Sequence, residues 1–509
     1  MNSRIVKLSV FSLLVLLASC AQDNTISKKY SNTTGWKYND RKTTAFEVQE
    51  NYHPVIPPGM VAIEGGTFEI GEKGEYITAP RNNPRRSITV NSFYMDKYEI
   101  TNLNWREYLH WTKLVFGGTA PSLVVRATPD VTVWREELAY NEPYLQNYFE
   151  HPSYDLYPVV GVSWVQAMDY CQWRTDRVNE MAMVGAGVIA APDFTEVDPA
   201  YEISYDTIRT SFVFNTNKYL LDNNYNPYPG RKPKYDINGE ERKVTRADGI
   251  LYTDFRLPTE AEWEFAAFAP IAGELGLTTE GKIYPWSGYH SRNVTKKQLG
   301  QMQANFIRGK GDMMGVSGAL NDHYVITGPV NAYWPNDFGL YNMAGNVNEW
   351  VLDVYRETSY QDMSEYNSFR GNIYVAPKEA GRDEYGNIIY EIDSLGRIAM
   401  DVKVKEEDVR DYKDGDRTSV LNTDFTLIVD STDVVELTKN RLTDPTDVLA
   451  PKINKKSRVY KGGSWKDRIY WLNPSTRRFL DENECSSTIG FRCAMSTMGT
   501  EDIHGKRDK

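Results

Sequence analysis

Two capping boxes fix where helices of this chain must begin. Ser163 and Gln166 stand three residues apart, as do Thr259 and Glu262. In each pair the first hydroxyl can take a backbone N–H of the opening turn while the second side chain reaches back to the cap. Behind Ser163, the residues Ala167, Tyr170, Cys171 and Arg174 recur at helical spacing, which points Cys171 toward a packed face rather than to solvent. Behind Thr259 runs Glu260-Ala-Glu-Trp-Glu-Phe-Ala-Ala267, a third helix of the chain. The first starts at Thr101, a plausible cap with Trp105, Tyr108, Leu109 and Trp111 along the helix behind it.

Strand signals lie ahead of these helices. Met60 to Gly71 alternates apolar and polar residues on either side of Gly65-Gly66, which reads as strand, tight turn, strand, and Ser87 to Met95 reads as one further strand. A chain of 509 residues has room for two or three average domains, or for one large domain with insertions. Forty-one per cent hydrophobic residues and 12 Trp suffice for a core of either kind. The formal charge of −11 argues against a nucleic-acid footprint, which needs a basic face, and favours protein partners. The 34 Tyr suit loop-rich cores and interfaces, because the ring packs while the hydroxyl finds a partner.

The N-terminus speaks to compartment. Arg4 and Lys7 precede the apolar run Leu8 to Ala18, too short to span a bilayer, so residues 1–19 read as a signal peptide. Leu17-Ala18-Ser19-Cys20 resembles a bacterial lipobox, which implies lipidation of Cys20; a plain signal peptide with an incidental cysteine is the alternative. Ala21 to Thr34 is a polar tether, and residues 20–59 as a whole read as a lipidated tether and leader, with Thr33-Thr-Gly-Trp-Lys-Tyr-Asn-Asp40 inside it. Residues 495–509 form a polar tail.

Six motifs then point to one family: MVAIEGGTFEIG at Met60, EITN at Glu99, PVVGVSWVQAMDYCQW at Pro158, RLPTEAEWEFAA at Arg256, NAYWPNDFGLYNMAGNVNEW at Asn331, and a segment that opens on KGGSW at Lys461 and closes on GFRC at Gly490. Together they resemble formylglycine-generating enzymes and sulfatase-modifying factors, apart from Glu64 where proline is usual and Asn348 where Trp is common. The resemblance implies an α+β, C-type-lectin-like fold, poor in regular secondary structure, over residues 60–494. It also implies two large insertions, at about 177–252 and 356–456, where the family is compact. The first is rich in Asn, Tyr, Pro and charge. The second contains strand-like pieces at Gly386 to Ile392 and Phe425 to Leu437 and the charged stretch Lys403 to Arg417. Segments this long usually serve function, with decorative loops as the alternative.

The same resemblance supplies site residues. The family's redox cysteine pair falls on Asp467 and Leu472, neither of which forms a thiolate, so the copper(I) chemistry of the family is expected to be absent. The related iron enzymes need an HxxxHxE cluster, and His53, His110, His151, His290, His323 and His504 are not so spaced. Two family calcium sites map to Asn342, Gly345, Val347 and Glu349, and to Asn305, Phe306, Asp322 and Tyr324. Carbonyls and hard side-chain oxygens suit that ion, while a loop tied by its own hydrogen bonds is the metal-free alternative. The family also pairs the cysteines at Cys171 and Cys493, a staple of roughly 4 to 5 kcal/mol in the chain-entropy model. That pairing leaves Cys485 free; a local Cys485–Cys493 bridge is the competitor.

Finally, the lipobox, the leader and the placement of the two insertions resemble the gliding-motility lipoproteins of the type IX secretion machinery of Bacteroidota. That likeness implies a structural, non-catalytic protein, lipid-anchored on the periplasmic face of the outer membrane, whose partners are ring and translocon proteins. A catalytically active sulfatase-modifying oxidase is the alternative.

Overall fold

The computed structural model of the protein describes residues 29–499 apart from 43–45, 50–51, 53, 73–82, 119, 193–213, 226–229, 237–238, 274–275, 279–281, 309–321, 356–368, 372–374, 385, 394–396 and 403–455. Cys20, His53, His504 and the expectations for Lys403 to Arg417 and Phe425 to Leu437 lie outside the described residues.

Strands β1 (Met60–Ile63) and β2 (Gly66–Ile70) flank the Gly65-Gly66 turn as the alternation predicts, yet they do not pair with each other. Strand β1 runs antiparallel to β4 (Phe93–Asp96), and β2 forms its hairpin with β3 (Arg86–Val90), from Gly66 opposite Val90 to Ile70 opposite Arg86. The single strand expected over Ser87 to Met95 is therefore two, broken at Asn91-Ser92. The reason is a crossing of backbones: a Cβ on Gly65 would stand 2.2 Å from the Val90 carbonyl, and the Gly65 N–H donates to Ser92 Oγ at 3.0 Å. Both chain segments switch sheets at that point.

Helix α1 (Asn102–Phe116) starts at Thr101, whose hydroxyl takes the Asn104 N–H. Helix α2 (Trp164–Gly185) starts at Ser163, and α3 (Glu260–Phe268) at Thr259, both with complete capping boxes. Helix α2 continues through Gly185, so the interval first placed at Arg177 begins inside a helix. Its later part carries a small core of its own, in which Met183, Ile189, Phe214, Tyr219 and Val244 pack together. The second interval contributes an antiparallel ribbon in which residues 375–377 pair with 400–402 and 379–382 with 388–390.

Two four-stranded sheets frame the domain. One has the order β1, β4, β10 (Ala494–Ser496), β5 (Phe255–Arg256), all antiparallel. The other has the order β8 (Arg478–Asp481), β7 (Ser457–Lys461), β6 (Asn348–Val354), β9 (Ile489–Gly490), with β6 and β9 parallel. Trp105 and Tyr108 of α1, Tyr170 and Trp173 of α2 and Phe491 form one aromatic core, where Trp105 stacks on Tyr170 at 5.3 Å. Each such ring removed from water contributes about 2–3 kcal/mol. Helix α3 is buried on every side, and its three glutamates persist there only because they are paired. Lys461 meets Glu260 at 3.1 Å and Glu264 at 2.7 Å, and Arg477 meets Glu260 at 2.6 Å. No helix among the described residues is long and apolar enough to cross a membrane.

Candidate functional site

The site is built around the turn that follows β7. Gly462 and Gly463 take φ of 99° and 71°, a left-handed region that costs a residue with a Cβ dearly. Space forbids a side chain as well: a Cβ on Gly463 would lie 2.8 Å from the Trp471 carbonyl and 2.9 Å from Leu472 Cδ1. The turn is pinned to the Asn331–Trp350 run by two bonds, Gly345 N–H to the Gly462 carbonyl at 2.9 Å and Trp465 N–H to the Asn346 carbonyl at 2.8 Å.

Asp467 folds back onto that turn. Its Oδ2 accepts from Ser464 N–H at 2.9 Å, Ser464 Oγ at 2.7 Å and Asn348 Nδ2 at 3.3 Å. Arg478 closes the arrangement with a bidentate pair, Nη1 to Oδ1 and Nη2 to Oδ2, both at 2.7 Å. Nη2 also donates to Asn348 Oδ1, and the guanidinium lies 4.4 Å from the Trp471 ring centre. Partial burial pushes the Asp467 carboxyl up, but Arg478, Ser464 and Asn348 outweigh it and hold the carboxyl below its ordinary range. Leu472 is fully buried among Tyr284, Met302, Ala304, Phe306 and Ala344.

Asp467 has both oxygens engaged and Leu472 has no donor atom, so the pair offers no soft ligand for copper(I). The third thiol cannot substitute. Cys485 lies 3.9 Å from Asp130 Oδ2, and partial burial together with that carboxylate pushes it up to about 11, which keeps it a thiol. A cavity of about 720 Å³ opens beside α1 and α2, lined by Tyr98, Glu99, Trp173 and Arg174 among others, and neither Asp467 nor Leu472 lines it.

The sequence missed Arg478 and the buried acid Glu99. Asn348 was visible as a departure from the family pattern, but its partner Arg478 sits in an ordinary-looking Thr476-Arg-Arg478 run with no signal of its own. Glu99 is fully buried, where burial and then the Glu349 charge push its carboxyl up to about 8, against the pull of Arg492 and of the amide groups of Asn342 and Asn346.

The two predicted oxygen-ligand sets differ in how they are occupied. Asn342, Gly345, Val347 and Glu349 share one turn region, but Glu349 is already committed: Arg492 donates to it at 2.7 and 2.6 Å and Trp263 Nε1 at 2.8 Å. Asn342 donates from Nδ2 to Glu99 and to the Val330 carbonyl, bonds in which its Oδ1 takes no part. In the other set, Asn305 Oδ1 is buried without a hydrogen-bond partner, and Asp322 Oδ2 accepts the Phe306 N–H at 3.1 Å. A buried amide oxygen with nothing to accept is what a hard cation would satisfy, so this set fits calcium better than the first. Cys171 Sγ and Cys493 Sγ lie 3.5 Å apart, buried, as unbonded thiols, while Cys485 faces Asp130.

The chain is similar to known proteins over much of its length. A model of the sulfatase-modifying factor enzyme 1-like domain matches residues 45–390. The mouse formylglycine-generating enzyme is 23% identical over 317 residues, covering 62% of this chain and 63% of that protein, so the chain spans under two thirds of its length. The Thermomonospora curvata formylglycine-generating enzyme is 25% identical over 312 residues, 60% of this chain and 75% of its own. The bovine inactive C-alpha-formylglycine-generating enzyme 2 is 26% identical over 308 residues, 60% of this chain and 73% of its own. Among solved structures, PvdO from Pseudomonas aeruginosa matches 86% of this chain and 94% of its own at 16% identity and a TM-score of 0.39.

Proposed function

This chain belongs to the sulfatase-modifying factor enzyme 1-like family, and from that premise we propose that it is a non-catalytic member, a lipid-anchored structural protein of the gliding-motility and type IX secretion machinery. In this reading it is similar to gliding-motility lipoprotein J or its paralogue lipoprotein K, with the C-type-lectin-like fold of the family enlarged by two insertions. The observation that carries the non-catalytic half is the filling of the cysteine positions: Asp467 is a fixed carboxylate and Leu472 an apolar plug. The family holds both active enzymes and relatives named inactive, so family membership alone is compatible with either role.

The work of such a protein is to hold a shape. Asn305 and Asp322, with the Phe306 and Tyr324 carbonyls, would hold calcium, which supplies a multivalent cross-link between two loop segments. A Cys171–Cys493 disulfide would tie α2 to the segment leading into β10. Cys20 would carry the acyl chains that keep the protein on the periplasmic face of the outer membrane. Residues of the two enlarged intervals would then meet the ring and translocon proteins. Crosslinking in membranes, followed by recovery through the lipidated protein, tests this. The expected result is secretion-ring or translocon components attached to the intervals at about 177–252 or 356–456; recovery of none would count heavily against the reading.

A further inference from the structure

The leader is folded, and the folded part reaches back to Lys29, within the Ala21 to Thr34 stretch expected to be tether. Tyr30 and Lys37 form an antiparallel bridge, closed by Ser31 N–H to the Trp36 carbonyl at 2.7 Å and Tyr38 N–H to the Lys29 carbonyl at 2.9 Å. Gly35 takes φ of 76° to make the turn, and its N–H donates to the Ser31 carbonyl at 2.8 Å. Asn39, also left-handed at φ 57°, binds Val48 through both ends of its amide, at 3.0 and 2.8 Å, and its N–H donates to the Phe46 carbonyl at 3.0 Å. Arg242 of the first enlarged interval takes Glu47 at 3.0 Å and ties the unit to the domain.

What this unit displays is unusual for a water-facing surface. Tyr30 is 52% exposed, Trp36 55% and Phe46 59%, although rings of this size ordinarily pack. Around them Lys29, Lys37, Arg41 and Lys42 are exposed. The same stretch carries two acids: Asp40, whose Oδ1 accepts the Lys42 backbone N–H at 2.9 Å, and Glu47, which pairs with Arg242 at 3.0 Å. The chain as a whole carries −11, so this is a local reversal of charge. Exposed aromatic rings set among Lys and Arg are the chemistry of a bilayer interface, where rings sit at headgroup depth and cations meet anionic phosphates.

We propose that the leader is a bilayer-contact element that lays Tyr30, Trp36 and Phe46 onto an anionic phospholipid surface. The proposal rests on the reading that Cys20 is lipidated, because chain length then leaves little choice of surroundings. Eight residues lie between Cys20 and Lys29, and the nine steps from one to the other, at about 3.5 Å each, reach at most about 30 Å from the acyl anchor. A second contact at the membrane would fix the orientation of the domain, which a flexible tether alone cannot do.

The test uses the mature chain with Cys20→Ser, which carries no lipid, in co-sedimentation with vesicles of phosphatidylcholine alone or mixed with phosphatidylglycerol. Binding is expected to the mixed vesicles, weakening about tenfold or more as salt shortens the screening length. Trp36→Ala with Phe46→Ala, and separately Lys29→Glu with Lys37→Glu and Lys42→Glu, should each weaken it about tenfold or more. Thermal unfolding of each variant confirms that the domain stays folded. The proposal is overturned if the parent binds neither vesicle type, binds both equally, or is matched by the variants. A parent chain that binds a purified machine protein through the leader instead of vesicles overturns it too. Metabolic labelling of Cys20 with a clickable acyl chain tests the anchor separately, so failure of either claim is told from failure of the other.

Discussion

Arg478 grips both carboxylate oxygens of Asp467, Nη1 on Oδ1 and Nη2 on Oδ2, each at 2.7 Å. At the position to which the resemblance assigns a redox thiol, this chain carries one end of a fork-shaped ion pair, and the other end lies against Trp471 and Tyr460. Bidentate pairs of this kind fix geometry as well as charge. The Asp467 carboxylate is here a strut between the turn after β7 and strand β8.

Removing one partner should cost more than removing both. Asp467→Ala leaves the Arg478 guanidinium half-buried without its anion and is expected to lower stability by about 2–3 kcal/mol. Asp467→Leu together with Arg478→Met should recover most of that loss. Urea unfolding of the three proteins checks it, and equal loss in single and double variants would mean that the pair is not what the turn leans on.

Cys171 and Cys493 face each other at 3.5 Å, so oxidation requires little movement. In protein taken from an oxidising compartment without reductant, peptide mass spectrometry should find these two joined and Cys485 free. Reduction should then lower stability by up to about 5 kcal/mol, since the bridge closes a very long loop. A Cys485–Cys493 peptide pair would contradict the geometry.

The buried acid Asp353 gives stability a pH dependence whose sign can be worked out. Burial, and then the charge of Glu260, push its carboxyl up to about 7 in the folded protein, so folding takes up a proton that the unfolded chain at that pH lacks. Its contribution is fully present below the ordinary carboxylate range and is lost as pH rises through about 7. Glu260 runs the other way: burial works against its charge, but Arg477 and Lys461 win and hold it low, so its contribution fades only in strong acid. Urea midpoints should therefore fall between pH 6 and pH 8, where Asp353, at about 7, and Glu99, at about 8, act with the same sign, and Asp353→Asn should lessen that fall without removing it. A parent midpoint that rises across the window would show that other groups dominate.

Calcium, if it binds at Asn305 and Asp322, should raise the melting temperature of the purified protein, and a chelator should reverse the rise. Asp322→Ala should abolish the response, whereas Glu349→Gln should mainly destabilise by freeing the buried Arg492. Calorimetric titration of both variants separates the two ligand sets. A response lost only in Glu349→Gln would move the site to the Asn342 turn.

Much of the frame was legible because helix starts are written locally. Ser163 with Gln166 and Thr259 with Glu262 are read from spacing alone, and all three helices begin where their caps stand. Pairing partners were not legible. Alternation at Met60 to Gly71 finds two strands but cannot reveal that β1 pairs with β4 and β2 with β3, because that depends on Gly65 crossing under Val90. The environment of the acids of α3 was not legible either. Glu260, Glu262 and Glu264 are buried, and their cations arrive from Arg256, Lys461 and Arg477, of which only Arg256 is near in sequence. The substitution at Asn348 was visible, while its meaning needed Arg478 from a distant strand.

The most direct test of the central claim is a copper(I) titration of the reduced, purified protein against a competing chelator, followed by an oxygen-dependent assay on a cysteine-containing peptide. With Asp467 held by Arg478 and Leu472 buried, no copper(I) should be bound in competition and no formylglycine should form. Stoichiometric copper(I) binding that disappears in Cys485→Ser, accompanied by peptide turnover, would contradict the account and return this chain to the enzymes of its family.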